Sequence, residues 1–209
     1  DLVRVGGGKE RMRHYLKTKG FGVPVKPEEE DELIRNMHEF KTNMFIKLIE
    51  NGELPLRPGI KRIMKEINGL GLSMAVCTTS NQLAAAAVTG KTLGDIHFDF
   101  VLAGDIVSKK KPDPEIYYLA LEKTGYQPEE CVVIEDSHNG VSAAKAAGMF
   151  VVATSNFYTQ NEDLSAADIV VTCLGDLDGE KGILTAGGEG LVYDGVLTAE
   201  QLIEYFSSK

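Results

Sequence analysis

Cysteine, positive charge and long hydrophobic runs are all scarce in this sequence of 209 residues. The three cysteines, Cys77, Cys131 and Cys173, show no paired or metal-type spacing and fall within apolar runs. That pattern favours reduced, buried thiols in a reducing compartment. No apolar run is long enough to span a bilayer. The formal net charge of −9 argues against a surface for nucleic acid or for an anionic membrane.

The chain divides near the Pro- and Gly-containing segment 54–59. Before it, apolar residues recur at three- and four-residue steps and predict a long helix over residues 30–50. An earlier helix is expected over residues 9–17, after the triple glycine 6–8, and no strand is expected in this region. After it, predicted strands and helices alternate, which is typical of a doubly wound, mostly parallel α/β sheet. The predicted strands are 72–77, 100–102, 131–134, 150–153 and 168–171, the predicted helices are 60–71, 82–88, 114–123 and 141–147, and the glycine-rich segment 179–190 is predicted to be a surface loop.

Two adjacent carboxylates, Glu135 and Asp136, follow the apolar residues 132–134 and precede a small turn and a helix. Ligands of a parallel sheet bind beyond the carboxyl ends of its strands, so this pair is predicted to lie at the mouth of a site. Two neighbouring carboxylates repel each other and need a cation, and their oxygen atoms suit Mg²⁺. The alternative is a polar strand end that only caps the next helix.

Two further segments carry phosphate-binding chemistry. The predicted strand 72–77 runs into Thr78, Thr79, Ser80 and Asn81, whose hydroxyl and backbone N–H groups are suited to hold a phosphate. Helix capping alone would explain the same residues. In the run 109–111, Lys109 and Lys110 are interpreted as solvated surface. Lys111 precedes Pro112, which fixes the backbone, so its ammonium is predicted to neutralise phosphate charge.

Thr78 after a strand, Lys111 in a Lys-Pro-Asp-Pro turn and Glu135-Asp136 at a strand end resemble three of the four motifs of the haloacid dehalogenase superfamily. The likeness is greatest to its β-phosphoglucomutase-like branch. Within that branch, the segments 5–12, 54–59 and 75–81 resemble CbbY-type xylulose-1,5-bisphosphate phosphatases. The resemblance implies a Rossmann-like core, residues 57–209, and a small all-helical cap, residues 1–56, that is incomplete at its N-terminal side.

The resemblance also implies roles for individual residues. Glu135 and Asp136 would hold Mg²⁺, while Thr78 and Lys111 would be catalytic and contact the transferring phosphoryl group. Thr79, Ser80 and Asn81 would bind substrate from the core, and the cap would bind the distal phosphate of a sugar through Gly7, Gly8, Lys9, Arg11 and Lys41. Ordinary exposed charge is the alternative reading of the three cap cations.

The fourth motif of the superfamily, an apolar strand ending in Asp-x-Asp-Gly, has no counterpart before the cap. In this fold that strand lies centrally, between the strands that end at Thr78 and Glu135, and supplies the aspartate nucleophile. We therefore expect this chain to be an incomplete version of a longer protein. The segment 176–179 has the same letters, Asp-Leu-Asp-Gly, but it follows the acid pair and is separated from its strand by Gly175. We interpret it as a decoy.

The resemblance implies a Mg²⁺-dependent phosphatase that hydrolyses a small sugar bisphosphate through a phospho-aspartyl intermediate, with xylulose 1,5-bisphosphate as the best candidate. Two alternatives stay open: a sugar-phosphate mutase, and a non-catalytic sugar-phosphate-binding remnant. The expected protein is a monomer whose partner is a phosphorylated sugar, neither nucleic acid nor membrane. By analogy alone, its compartment is the cytoplasm or the plastid stroma.

Overall fold

The computed structural model describes residue 2 and residues 5–209. Asp1, Val3 and Arg4, which belong to the predicted cap, lie outside the described residues. Seven α-helices and six strands follow one another along the described chain, together with a π-helical turn at Val88–Thr92 and a 3-10 turn at Pro128–Glu130. Their order is α1 (Gly8–Thr18), α2 (Pro27–Glu50), α3 (Ile60–Gly69), β1 (Ala75–Cys77), α4 (Gln82–Ala87), β2 (Phe100–Leu102), α5 (Glu115–Thr124), β3 (Val132–Glu135), α6 (His138–Ala146), β4 (Phe150–Thr154), β5 (Ile169–Val171), β6 (Leu184–Gly187) and α7 (Ala199–Ser207).

Two helices, α1 and α2, form in the described part of residues 1–50, where the sequence predicts two. Helix α2 begins at Pro27, whose fixed φ suits the first helical position, and three glutamates in its first turn face the positive end of the helix dipole. It ends at Glu50, where the chain turns at Gly52 with a positive φ. In the described part of this region the chain forms no strand, which agrees with the prediction.

The strands form two separate hydrogen-bonded groups. Strands β1 and β2 pair in parallel. Strands β3, β4 and β5 also pair in parallel, in that order, and β6 closes the second group antiparallel to β5. One apolar cluster joins α5 and α6 to Val151 and Ala153, and another joins α3 and α7 to Val152. Successive residues of β4 therefore face opposite helical layers, and the predicted α/β fold with a parallel sheet is confirmed.

A cleft of about 570 Å³ separates the two groups, between β1 and β3. In the part of the chain that the structure describes, no strand pairs with the facing edges of β1 and β3. Residues of β5 are all buried, whereas every residue of β3 is only half-buried. This cleft lies where the family resemblance predicts a central strand, and among the described residues no strand pairs with the backbone groups that face it.

Two features of the C-terminal part differ from the sequence-based reading. The prediction of a surface loop over 179–190 is wrong in part, because β6 lies within it and pairs with β5. Glycine and alanine in this strand have low strand propensity, so pairing depends on the neighbouring strand rather than on local sequence. Helix α7 was not predicted, although Thr198 and Gln201 form a capping box at its start. Among the described helices, none is long and apolar enough to cross a membrane.

Candidate active site

The acid pair lies at the carboxyl end of β3, where the strand gives way to α6. The side chain of Ser137 accepts a hydrogen bond from the backbone N–H of Gly140, at 3.2 Å, and so caps the first turn of α6. Gly140 leaves room for the carboxylate of Glu135, because a Cβ at this position would overlap with Oε2 where it lies now. The turn therefore both stops the strand and makes room for the Glu135 side chain.

Lys111 joins the two sides of the cleft. Its Nζ donates to the backbone oxygen of Cys77, at 2.9 Å, and to Oε1 of Glu135. Cys77 ends β1 and Glu135 ends β3, so the ammonium group bridges the carboxyl ends of the two strands that flank the cleft. The side chains of Lys111 and Glu135 are 11% and 10% exposed, which makes this a largely buried ion pair. It can therefore act on a ligand with little screening by water.

Asp136 directly follows Glu135 and is exposed at the carboxyl end of β3. Desolvation by the surrounding protein and the neighbouring Glu135 carboxylate raise the pKa of Asp136, while Arg57 and Lys111 oppose that rise. Asn156 donates from Nδ2 to Oδ2 of Asp136 at 3.2 Å. Two carboxylates whose mutual repulsion is only partly compensated fit a Mg²⁺ site, because Mg²⁺ usually takes one or two protein carboxylates and completes its shell with water and phosphate. Within the described residues, no third His, Cys, Asp or Glu completes a protein-only metal cluster.

The segment after β1 lies across the cleft from the acid pair. The backbone N–H of Thr78 donates to the oxygen of Leu102 at 2.9 Å, which extends the pairing of β1 with β2 by one residue. Oγ1 of Thr78 accepts from the backbone N–H of Ser80 at 3.1 Å. Because a hydroxyl group can also donate one hydrogen bond, the Thr78 hydroxyl can still donate to a ligand oxygen. Asn81 caps α4 by accepting from Leu83 N–H at 2.8 Å, as the capping interpretation predicts.

A second cavity, of about 430 Å³, lies between the α1–α2 helices and the core. Nζ of Lys9 on α1 forms an ion pair with Asp105, at 3.0 Å, and Lys110 pairs with the same carboxylate at 2.8 Å. These two lysines lower the pKa of Asp105 to about 2. The interpretation of Lys110 as solvated surface is wrong, because its side chain is 14% exposed and also donates to the backbone oxygen of Gly104, whereas Lys109 is 72% exposed.

Five of the eight residues predicted to bind substrate line this second cavity: Gly7, Gly8, Lys9, Thr79 and Asn81. The other three do not line it. The guanidinium group of Arg11 donates to the backbone oxygen of Val5 at 3.2 and 3.3 Å, and so supports the glycine loop from outside. Ser80 is exposed, with its backbone oxygen bound to Gly104 N–H, and Lys41 is exposed on α2 beside His38.

Sequence reasoning missed three side chains at these sites. Tyr117 contacts both Lys111 and Glu135. Its place three residues after Pro114, in the first turn of a predicted helix, could have indicated that it lies near Lys111. Arg57 holds the ends of β4 and β5 and lies in the Pro- and Gly-containing segment 54–59. Asp105 pairs with Lys9, which is 96 residues away in the sequence, and the residues around Asp105 give no indication of such a long-range contact.

The Asp-Leu-Asp-Gly segment lies away from both cavities. It follows β5, which is separated from the cleft by β4 and β3. The preceding Gly175 accepts hydrogen bonds from Arg62 on α3, at 2.9 and 3.1 Å. Neither Asp176 nor Asp178 lines the cleft or the cavity between the helices and the core. Its interpretation as a decoy therefore agrees with its position.

Comparison with known proteins points to one family. The family described as haloacid dehalogenase-like hydrolase matches residues 5–148. A CBBY-like protein from Arabidopsis thaliana is 44% identical over 84% of this chain and 56% of its own length. Protein CbbY from Cereibacter sphaeroides is 38% identical over 89% of this chain and 80% of its own length. A crystal structure of a CbbY variant from Rhodobacter sphaeroides with xylulose 1,5-bisphosphate superposes with a TM-score of 0.74, at 37% identity over 85% of this chain and 78% of that one.

The chain thus spans little more than half the length of the Arabidopsis relative and about four-fifths of the bacterial one. The matched region contains the glycine loop, the segment after β1, Lys111 and the acid pair. Sequence motifs, strand topology and family match agree with one another. This chain belongs to the haloacid dehalogenase-like hydrolases, and its relatives include the CbbY proteins.

Proposed function

We propose that the protein containing this chain is a Mg²⁺-dependent phosphatase that removes one phosphate from a small sugar bisphosphate, with xylulose 1,5-bisphosphate as the best candidate. The observation that carries the proposal is the ion pair of Lys111 with Glu135, next to Asp136, which bridges the cleft to the end of β1, the strand that Thr78 follows. The likeness to a CbbY structure that binds xylulose 1,5-bisphosphate supports this choice of sugar.

The cleft end of the site fits the transferring phosphoryl group. The ammonium of Lys111 offsets negative charge, and the Thr78 hydroxyl donates to a phosphoryl oxygen. Both groups are held by backbone contacts: Thr78 N–H by Leu102, and Lys111 Nζ by Cys77. The fixed positive charge of Lys111 and the fixed hydroxyl of Thr78 stabilise developing charge without reorganising, and phosphoryl transfer relies mainly on such stabilisation and on positioning.

Glu135 and Asp136 are the residues that would hold Mg²⁺. When bound, the ion neutralises charge on the phosphoryl oxygens. The two carboxylates come from consecutive residues, and Gly140, Asn156 and the capped start of α6 fix their surroundings. These neighbours provide the second set of contacts that a divalent-ion site needs.

The cavity between the helices and the core fits the rest of the sugar. Lys9 approaches from α1, and Lys110 and Asp105 approach from the loop after β2. A distal phosphate would replace Asp105 as the partner of Lys9, since an ammonium group binds a dianionic phosphate more strongly than it binds one exposed carboxylate. Of the three cations proposed from sequence, Lys9 is the one whose position supports a direct contact, while Arg11 supports the loop.

The nucleophile would come from a strand that fills the cleft between β1 and β3. Both flanking strands belong to parallel pairs, so a parallel strand between them would end beside Lys111 and Asp136. An aspartate at that end would lie at the carboxyl edge of the sheet, where α/β proteins bind their ligands. We use the term strand-completed protein for this chain preceded by such a strand, ending in Asp-x-Asp, and by the rest of the cap.

Phosphate release from xylulose 1,5-bisphosphate and from the corresponding monophosphate tests the proposal in the strand-completed protein. Asp136→Asn should abolish turnover and weaken Mg²⁺ binding, because it removes one of two carboxylates. Asp176→Asn is the matched control and should retain parental activity. Full activity of Asp136→Asn, or turnover that survives an excess of chelator, would refute the assignment. Isomerisation of glucose 1-phosphate in place of phosphate release would favour the mutase.

A further inference from the structure

Tyr117 is a buried, titratable side chain for which the proposed chemistry has no use. It lies in the first turn of α5 and is 4% exposed. Its hydroxyl contacts Nζ of Lys111, at 3.1 Å, and Oε1 of Glu135. Nζ of Lys111 also lies 4.8 Å from the centre of the Tyr117 ring. One tyrosine therefore contacts both members of the ion pair at the end of the cleft.

The hydrogen bonds around Lys111 form a closed set. An ammonium has three donors, and here they go to the Cys77 oxygen, the Tyr117 hydroxyl and Glu135 Oε1. The phenol accepts from Lys111 and donates to Glu135, so its single proton and one lone pair are both used. Because the lysine side chain has four rotatable bonds, these three contacts select one ammonium position from many.

The same contacts divide the two oxygens of Glu135. Oε1 is engaged by Tyr117 and Lys111, whereas Oε2 lies above Gly140 and accepts a long hydrogen bond, 3.4 Å, from the backbone N–H of Asp136. A carboxylate oxygen has two lone pairs, so Oε2 can also bind a cation next to the residue that carries the second carboxylate. Without the phenol, Glu135 could rotate and bring either oxygen to the lysine, which would vary the distance between the two carboxylates.

We propose that Tyr117 is a positioning residue: its hydroxyl fixes the Lys111 ammonium and Oε1 of Glu135, so that Oε2 stays available beside Asp136 for a divalent cation. The inference rests on the proposed function, since it concerns the same site. It assigns Tyr117 no contact with the substrate. Its effect is expected on metal affinity and on turnover, and not on substrate binding.

Tyr117→Phe tests the inference in the strand-completed protein, because phenylalanine retains the ring and its packing and removes only the hydroxyl. The next residue provides the control: the Tyr118 hydroxyl donates to the Ala146 oxygen at 3.2 Å, and the residue is 52% exposed. The measurements are Mg²⁺ affinity by titration calorimetry, kcat and KM for the bisphosphate, and Tm.

Loss of a hydrogen bond to a charged group corresponds to about a ten- to hundredfold effect. We expect kcat of Tyr117→Phe to fall by about tenfold or more and Mg²⁺ to bind several-fold more weakly, with KM within about twofold of the parent. Tyr118→Phe should match the parent in all three quantities. A Tyr117→Phe protein with a lower Tm but parental Mg²⁺ affinity and kcat would show a purely structural tyrosine and overturn the inference.

The calorimetric measurement separates this inference from the proposed function. If the parent protein binds Mg²⁺ but releases no phosphate, the proposed function fails, while the comparison of Tyr117→Phe with Tyr118→Phe still decides the role of the phenol. If the parent releases phosphate and Tyr117→Phe retains parental Mg²⁺ affinity, the inference about Tyr117 fails and the proposed function stands.

Discussion

Replacing Arg57 should destabilise the core, because its side chain bonds to the ends of two strands. Its guanidinium donates to the backbone oxygen and to Oγ1 of Thr154, at 3.0 and 2.8 Å, and to the backbone oxygens of Ser155 and Thr172, the latter at 2.7 Å. One side chain thereby ties the end of β4 to the segment after β5. Arg57→Met keeps much of the apolar stem and removes every donor.

The magnitude follows from the number and type of contacts. Hydrogen bonds that involve a charged group contribute about 1.5–3 kcal/mol each, and acceptors left without a partner add to the loss. Because Arg57 is only half-buried, water can replace part of the set, so we count the low end of that range for each of the two tied segments. The expected loss in the free energy of unfolding is about 3 kcal/mol, which corresponds to a fall in Tm of roughly 6–12 °C for a chain of this size.

Thermal and urea unfolding followed by circular dichroism provide the assay, with Arg35→Met as the control. Arg35 is exposed on α2, and its replacement should change the free energy of unfolding by less than about 0.5 kcal/mol. Arg57→Lys should lie between Met and the parent, because it keeps the charge and loses the planar fork. A fall in Tm of less than about 2 °C in Arg57→Met would refute this account of the contacts.

Three further outcomes are expected. Lys9→Ala in the strand-completed protein should lower kcat/KM for the bisphosphate by about ten- to a hundredfold, because one charge-assisted hydrogen bond to the distal phosphate is lost. The kcat/KM for a monophosphate should change little. Equal losses for the two substrates would contradict a contact between Lys9 and the distal phosphate. The carboxyl of Asp105 should titrate near pH 2 when followed by NMR. The stabilisation that its ionised form gives to the folded protein should therefore be complete above the ordinary aspartate pKa of about 3.9 and should disappear only as the pH falls through about 2. A titration near pH 4 would show that the ion pairs with Lys9 and Lys110 do not persist. Burial raises the pKa of the Cys77 thiol to about 11, so labelling of the native protein at pH 8 with a thiol reagent should leave Cys77 unmodified, and rapid modification would contradict its position at the end of β1.

Most of the fold could be predicted from local pattern. Helix α2 has its apolar residues at helical spacing, and the apolar strand β4 lies between helices as an α/β alternation requires. Strand β6 could not be predicted in this way, because Leu184–Gly187 contains little strand propensity and forms by pairing with β5. Helix α7, by contrast, has a local signal in the sequence, the capping box of Thr198 and Gln201.

In the candidate active site, too, some side-chain positions could be predicted from local sequence and others could not. Lys111 and Glu135 were predictable because each follows a local rule, a proline-fixed turn and a strand end, and the topology of a parallel sheet brings those ends together. The contacts of Lys110 and Arg11 depend on the positions of single backbone oxygens, at Gly104 and Val5, in turns whose geometry the sequence does not specify. The side chains in such turns were therefore assigned by type, and their directions were not predicted.

The most direct test of the central claim compares the 209-residue chain with the strand-completed protein in one assay, phosphate release from xylulose 1,5-bisphosphate with and without Mg²⁺. The account predicts Mg²⁺-dependent release from the strand-completed protein and none from the 209 residues alone, since the cleft between β1 and β3 would then lack the aspartate nucleophile. Robust Mg²⁺-dependent release from the 209-residue chain, abolished by Asp176→Asn, would contradict it and would identify the Asp-Leu-Asp-Gly segment as the nucleophile.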